Sequence, residues 1–182
     1  MKTPHSLSIL LLAILCSACE PVVAPVAERP VQANSAIANA QAPHIAAGGT
    51  FTQTEVTSLD VRTAGPNTIL DQTSRGVITG TLDGDFEDRL KVTIHPNGRF
   101  NAHFTITCEC TVAGREGILE SVAGDTGELV TPDLATFAGR AVINGGTGGL
   151  SGLRGVLGIE GEVDVPTGLS TYTYSGTIHF AP

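Results

Sequence analysis

The feature that most constrains this chain is the alternation over residues 100–110, where apolar and polar side chains change places at every step. Phe100, Ala102, Phe104, Ile106, Cys108 and Cys110 share one face, and Asn101, His103, Thr105, Thr107 and Glu109 share the other. A period of two is the pattern of a strand with one buried side. Weaker versions recur over 50–62, 75–83, 89–95, 117–123, 135–144, 156–165 and 171–180. No long stretch carries apolar residues at the i, i+3, i+4, i+7 spacing of an amphipathic helix. Each strand therefore has an apolar face and no helix to cover it. The sheet must close on itself or pack on another sheet. The expected fold is all-β, a single eight-stranded antiparallel barrel, just wide enough inside for side chains or one small ligand.

Turn chemistry punctuates these segments. Pro96-Asn97-Gly98 predicts a hairpin, because Asn and Gly tolerate positive φ. Gly124-Asp125-Thr126-Gly127 predicts another. The acidic stretch 83–88 reads as a solvated hairpin turn. It lacks the sixth-position glycine and twelfth-position glutamate of a calcium loop. The histidines are scattered without ligand spacing, so no metal site is expected.

The chain begins with a different composition. Lys2 precedes an apolar run over 7–15, too short to span a bilayer and of secretory length. Ser17-Ala18-Cys19 follows and resembles the lipobox of bacterial lipoproteins, although Cys16 stands where an aliphatic residue is usual. The resemblance implies a signal peptide over 1–18 and lipidation of Cys19. It also implies an exported protein anchored to a bacterial membrane, facing the periplasm or the cell exterior. Ordinary cleavage near Ala24 or Ala27 is the alternative. Residues 19–48 are rich in alanine and proline and read as a flexible tether. Residues 49–182 are the size of one domain.

Beyond Cys19 there are nine Lys and Arg against eighteen Asp and Glu, a net charge of −9. That field repels polyanions, and no basic stripe overrides it, so nucleic acid is not an expected partner. In Cys108-Glu109-Cys110 both thiols fall on the apolar face. Residues i and i+2 of an extended strand lie about 6.5–7 Å apart at Cα, the outer limit for a disulfide. Two buried free thiols are the expectation, with a strained bridge as the alternative.

The glycine-rich element over 142–161, VINGGTGGLSGLRGVLGIEG, lacks the helix and lysine of a phosphate-binding loop. Its glycines suit tight turning where a barrel bends. This element resembles the signature of the allene oxide cyclase-like barrels, which include the dirigent proteins. The final strand, Tyr172-Thr173-Tyr174-Ser175-Gly176, is similar to the aromatic last strand of the cyclases; through Gly49-Thr50-Phe51, a central Gly hairpin and the element Gly148 to Gly155, the chain is closer still to a bacterial family of uncharacterised exported barrels. The resemblance covers residues 49–180. It implies the barrel fold, a cofactor-independent cyclase or isomerase chemistry, a homotrimer, and a catalytic glutamate on the first strand, here Glu55.

Phe51, Gln53 and Glu55 share parity. Tyr172 and Tyr174 share the apolar face of the last strand, which neighbours the first in a closed up-and-down barrel. Glu55 is thus the candidate catalytic residue, with Gln53, Tyr172 and Tyr174 as its ligand-binding companions. Glu120 shares parity with Ile118 and Val122 and would also be inward if those residues are; the opposite phase puts these acids in water. No cofactor is expected. Three functions remain open: a binding module for a small apolar molecule, a cyclase or isomerase, and a structural envelope lipoprotein with a filled core. An aromatic content of 4% leans toward the last.

Overall fold

The computed structural model describes residues 43–181. Eight strands follow one another around a closed antiparallel barrel, each paired with its sequence neighbours. They are β1 (Ile45–Ala64), β2 (Asn67–Gly80), β3 (Leu82–Ile94), β4 (Arg99–Val112), β5 (Arg115–Thr131), β6 (Leu134–Gly146), β7 (Leu153–Asp164) and β8 (Leu169–Phe180). A single 3-10 turn, Gly148–Leu150, separates β6 from β7. The expected all-β barrel is the fold.

Alternation sets the faces. In β4 all six residues expected inside are buried, and the intervening polar residues are exposed. Tyr172 and Tyr174 of β8 face in as expected, and so do Ile178 of β8 and Leu157 and Ile159 of β7. An apolar interior and a polar exterior are the reverse of the pattern of a membrane-spanning barrel. β1 starts at Ile45, four residues before the expected start of the barrel domain, because Ile45 to Gly48 pair with Ile178 to Ser175 of β8.

The two ends of the barrel differ. The lower end, where β2–β3, β4–β5 and β6–β7 connect, is filled. Leu82, Val112, Leu150, Leu153 and Ile178 are there, each no more than 1% exposed. The glycine element closes this end. Gly148 and Gly152 take positive φ, and Thr147 N–H donates to Ile118 O, which drives Leu150 into the core. Tight turning is the role expected for these glycines.

Two expected turns are instead strand interior. Residues 83–88 belong to β3, which continues unbroken from Leu82 and pairs with β4 throughout. The β2–β3 reversal occurs earlier, at Gly80 with φ 112°. Residues 124–127 belong to β5, whose turn into β6 lies beyond Thr131. The glycines here serve close packing, not reversal: a Cβ on Gly127 would collide with the Phe100 ring and with Thr136 O. As a consequence Asp88 and Asp125 lie on inward-facing strand positions.

Cys108 and Cys110 form a disulfide, so the expectation of two free thiols is corrected. Both are buried as expected. The strand is contracted here, with Cα atoms 5.3 Å apart, within the range a bridge tolerates. Gly84 and Gly117 stand opposite Cys110 on the two neighbouring strands. A Cβ on Gly84 would meet Glu109 O and come within 3.0 Å of Cys110 Cα, so glycine is required beside the contraction.

Candidate functional site

An aromatic layer crosses the barrel waist. Phe51 stacks on Tyr172 with centroids 4.8 Å apart, and meets Phe86 and Tyr174 edge-on at 5.4 and 5.3 Å. Phe137 completes the layer against Tyr172 at 5.7 Å. Below it the core is solid. Above it lies a cavity of about 150 Å³. Its walls are mainly apolar, with Leu90, Val92, Phe100, Ala102, Ala135 and Val163 among them. Leu129 and Val165, about 40% exposed, stand at its rim near the upper hairpins.

Polar groups converge at one place in this cavity. Gln53 Nε2 donates to Asp88 Oδ2 at 2.7 Å, and Gln53 Oε1 accepts from Ser170 N–H at 2.9 Å. Gln72 Nε2 donates to Ser74 Oγ at 2.7 Å and to Gly168 O at 3.1 Å. These glutamines lace a gap in the wall. β1 pairs with β8 only from Ile45 to Thr52, whereas β8 extends beyond to Leu169. Side-chain amides supply there the hydrogen bonds that the departing strand no longer makes.

Among the described residues, three buried oxygens have no hydrogen-bond partner: Asp88 Oδ1, Asp125 Oδ1 and the Tyr172 hydroxyl. All three residues line the cavity. Asp88 and Tyr172 are each only 3% exposed. An unpaired buried polar atom costs about 1–3 kcal/mol, so native proteins leave few of them. Burial pushes the Asp88 carboxyl up to about 6, against the hydrogen bond from Gln53 and the nearby Ser74, which favour its ionised form. Burial likewise raises Asp125 to about 6, opposed by the charge of His103. Tyr172 is raised well above its ordinary value, first by burial and then by the two aspartates. Among the described residues, no lysine, arginine or histidine lines the cavity.

The expected site residues divide. Gln53 and Tyr172 line the cavity. Tyr174 does not: its hydroxyl accepts from Leu82 N–H at 2.8 Å, toward the filled end, and its role is structural. Glu55 is exposed and not the polar centre. The β1–β2 register slips between Gln53 and Glu55, since Gln53 pairs with Gly76 and Glu55 with Arg75. One extra residue in a strand reverses the side-chain phase beyond it. Glu120 is exposed together with Ile118 and Val122, while Leu119, Ser121 and Ala123 face in. The residues missed, Asp88 and Asp125, carried a usable signal. Asp88 has the parity of Leu90, Val92 and Ile94, and Asp125 that of Leu119 and Ala123, once each strand is extended through its glycines.

A larger concavity of about 830 Å³ lies on the outside of the barrel, where Arg89, Lys91, His103 and Arg140 project. It is open to solvent, and all four of these side chains are exposed. The inner cavity, with its orphaned buried oxygens, is the better candidate site.

No family model matches the chain, and no curated protein does. Among solved structures, the chain is similar to a protein of unknown function from the DUF3224 family of Shewanella oneidensis MR-1. The match has a TM-score of 0.54 and 16% identity, covering 77% of this chain and 99% of that one. At this identity the likeness is one of fold.

Proposed function

We propose that this chain is an exported, lipid-tethered barrel that holds one small, mainly apolar molecule above its aromatic layer. The observation carrying this reading is the set of three unpartnered oxygens facing an otherwise apolar cavity. A purely structural barrel gains nothing from them, and a bound polar group satisfies them. The cavity size bounds the ligand. An apolar void near 150 Å³ accepts a molecule of roughly benzene size, below the usual range of drug-sized sites. The decisive experiment is native mass spectrometry of protein purified from its own host, compared with Ala102→Leu. Ala102 lines the cavity and is 3% exposed, so the larger side chain occupies the ligand's volume. A retained small molecule lost in Ala102→Leu supports the reading. Identical spectra, with no adduct in either, refute it.

One observation favours a second reading, the cofactor-independent isomerase implied by the resemblance to allene oxide cyclase-like barrels. Carboxyls poised near 6 beside a tyrosine hydroxyl suit proton transfer at neutral pH. Under this reading Asp88→Asn retains binding but loses turnover of the bound molecule.

The lipid anchor at Cys19 lies outside the described residues, and its support is the apolar run ending in Ser17-Ala18-Cys19. Cys19→Ser should release the protein from the membrane fraction; unchanged fractionation and mass would remove the claim. Self-association as a homotrimer has one support. Val122, Val142 and Val156 lie side by side in register on the outer face of β5, β6 and β7, and such a stripe is suited to covering by a partner. Sedimentation showing only monomer at high concentration would exclude it.

A further inference from the structure

The cavity's polar groups specify the chemistry of the ligand, an inference that rests on the binding reading above. The unfilled hydrogen-bonding capacity is mostly acceptor. Asp88 Oδ1 and Asp125 Oδ1 are free, and an ionised carboxylate only accepts. Gln72 directs its amide nitrogen to Ser74 and Gly168, and Gln53 directs its own to Asp88. The Tyr172 hydroxyl can donate one bond or accept. With no cationic side chain among the described residues of the lining, the site carries up to two negative charges and nothing there to balance them. A buried charge is costly unless paired.

We propose that the ligand is a small organic amine bound as its ammonium ion, the head held by the orphaned carboxyl oxygens of the cavity and the hydrocarbon body against the apolar wall. An ammonium only donates, and each of the orphaned oxygens can accept. A carboxylate or phosphate ligand would add like charge to the site. A metal ion is a poorer match, since among the described residues no group of three or more His, Cys, Asp or Glu is placed to hold one. The cavity limits the body to about six or seven heavy atoms, on the scale of a benzene-sized void.

Binding should weaken in acid, because protonation of the two aspartates removes the countercharge. The groups facing Asp88 are Gln53 from β1, Ser74 from β2 and Tyr172 from β8, with Glu87 beside it on β3. Those facing Asp125 are His103 from β4 and Tyr172; Gly139 of β6 contributes no side chain.

The test is calorimetry with three ring probes of similar shape: cyclohexylamine, cyclohexanol and cyclohexanecarboxylate. At pH 7.5 the amine should bind at least about tenfold more tightly than the alcohol, and the carboxylate not at all. Asp88→Asn and, separately, Asp125→Asn should each lower amine affinity by about tenfold or more while leaving the alcohol within about threefold. Two variants protect the test should one misfold, and circular dichroism checks each. Lowering wild type to pH 5 should weaken the amine and not the alcohol. Equal affinity for amine and alcohol, or full amine affinity in both variants, overturns the amine proposal and leaves the binding site standing. Failure of all three probes, with the host-purified protein also empty, overturns both readings together.

Discussion

Replacing Asp88 with asparagine should make the barrel more stable at neutral pH. Asp88 is 3% exposed and accepts from Gln53. Its carboxyl titrates at about 6, against 3.8 ordinarily. The folded state thus holds the proton more tightly than the unfolded chain, so the unfolded state is the more readily ionised of the two. The stability from this group is complete below the unfolded value near 3.8, declines as pH rises, and is lost above about 6. A displacement of that size corresponds to roughly 3 kcal/mol. Asparagine keeps the shape and an acceptor for Gln53 but has no charge to bury. Asp88→Asn should therefore exceed wild type by up to about 3 kcal/mol at pH 7.5, or roughly 10 °C in Tm for a domain of this size. At pH 4 the two should nearly coincide. Urea unfolding at about pH 4, 5, 6 and 7.5 measures the difference directly. Asp125 contributes in the same direction but less, being partly solvated. Parallel pH profiles for wild type and Asp88→Asn would refute the reasoning, as would a variant less stable than wild type at pH 7.5. A gain in stability accompanied by loss of amine binding would mark Asp88 as a residue retained at a cost to folding.

Three further outcomes follow from the same geometry. Tyr174→Phe should cost about 1–3 kcal/mol in chemical denaturation without altering ligand binding, because it strands the Leu82 N–H in the core. Glu55→Gln should change stability by less than about 0.5 kcal/mol and leave any bound species in place, since Glu55 is exposed beyond the register slip. The denatured, unreduced protein should be lighter than the reduced protein by the two thiol hydrogens, with Cys108 and Cys110 alkylated only after reduction; full alkylation without reductant would contradict the bridge.

By itself the sequence determined the architecture. Side-chain alternation is a local property, and the inward sets of β4, β7 and β8 were legible residue by residue. Apolar faces with no helix to cover them left closure as the economical solution, and Tyr172 followed from parity alone. What only the tertiary structure decided was phase across an irregularity and the use of glycine. One extra residue after Gln53 turned Glu55 into water, and nothing in Gln53-Thr54-Glu55 marks a bulge. The glycines beside Asp88 and Asp125 look like turn residues in isolation. Their partners show otherwise: Phe100 and Thr136 crowd Gly127, and the Cys108–Cys110 contraction crowds Gly84. A glycine that reverses a chain and one that admits a neighbour's backbone are identical in sequence. The distinction lies in which strand stands beside it, and on that distinction rested the burial of both carboxylates.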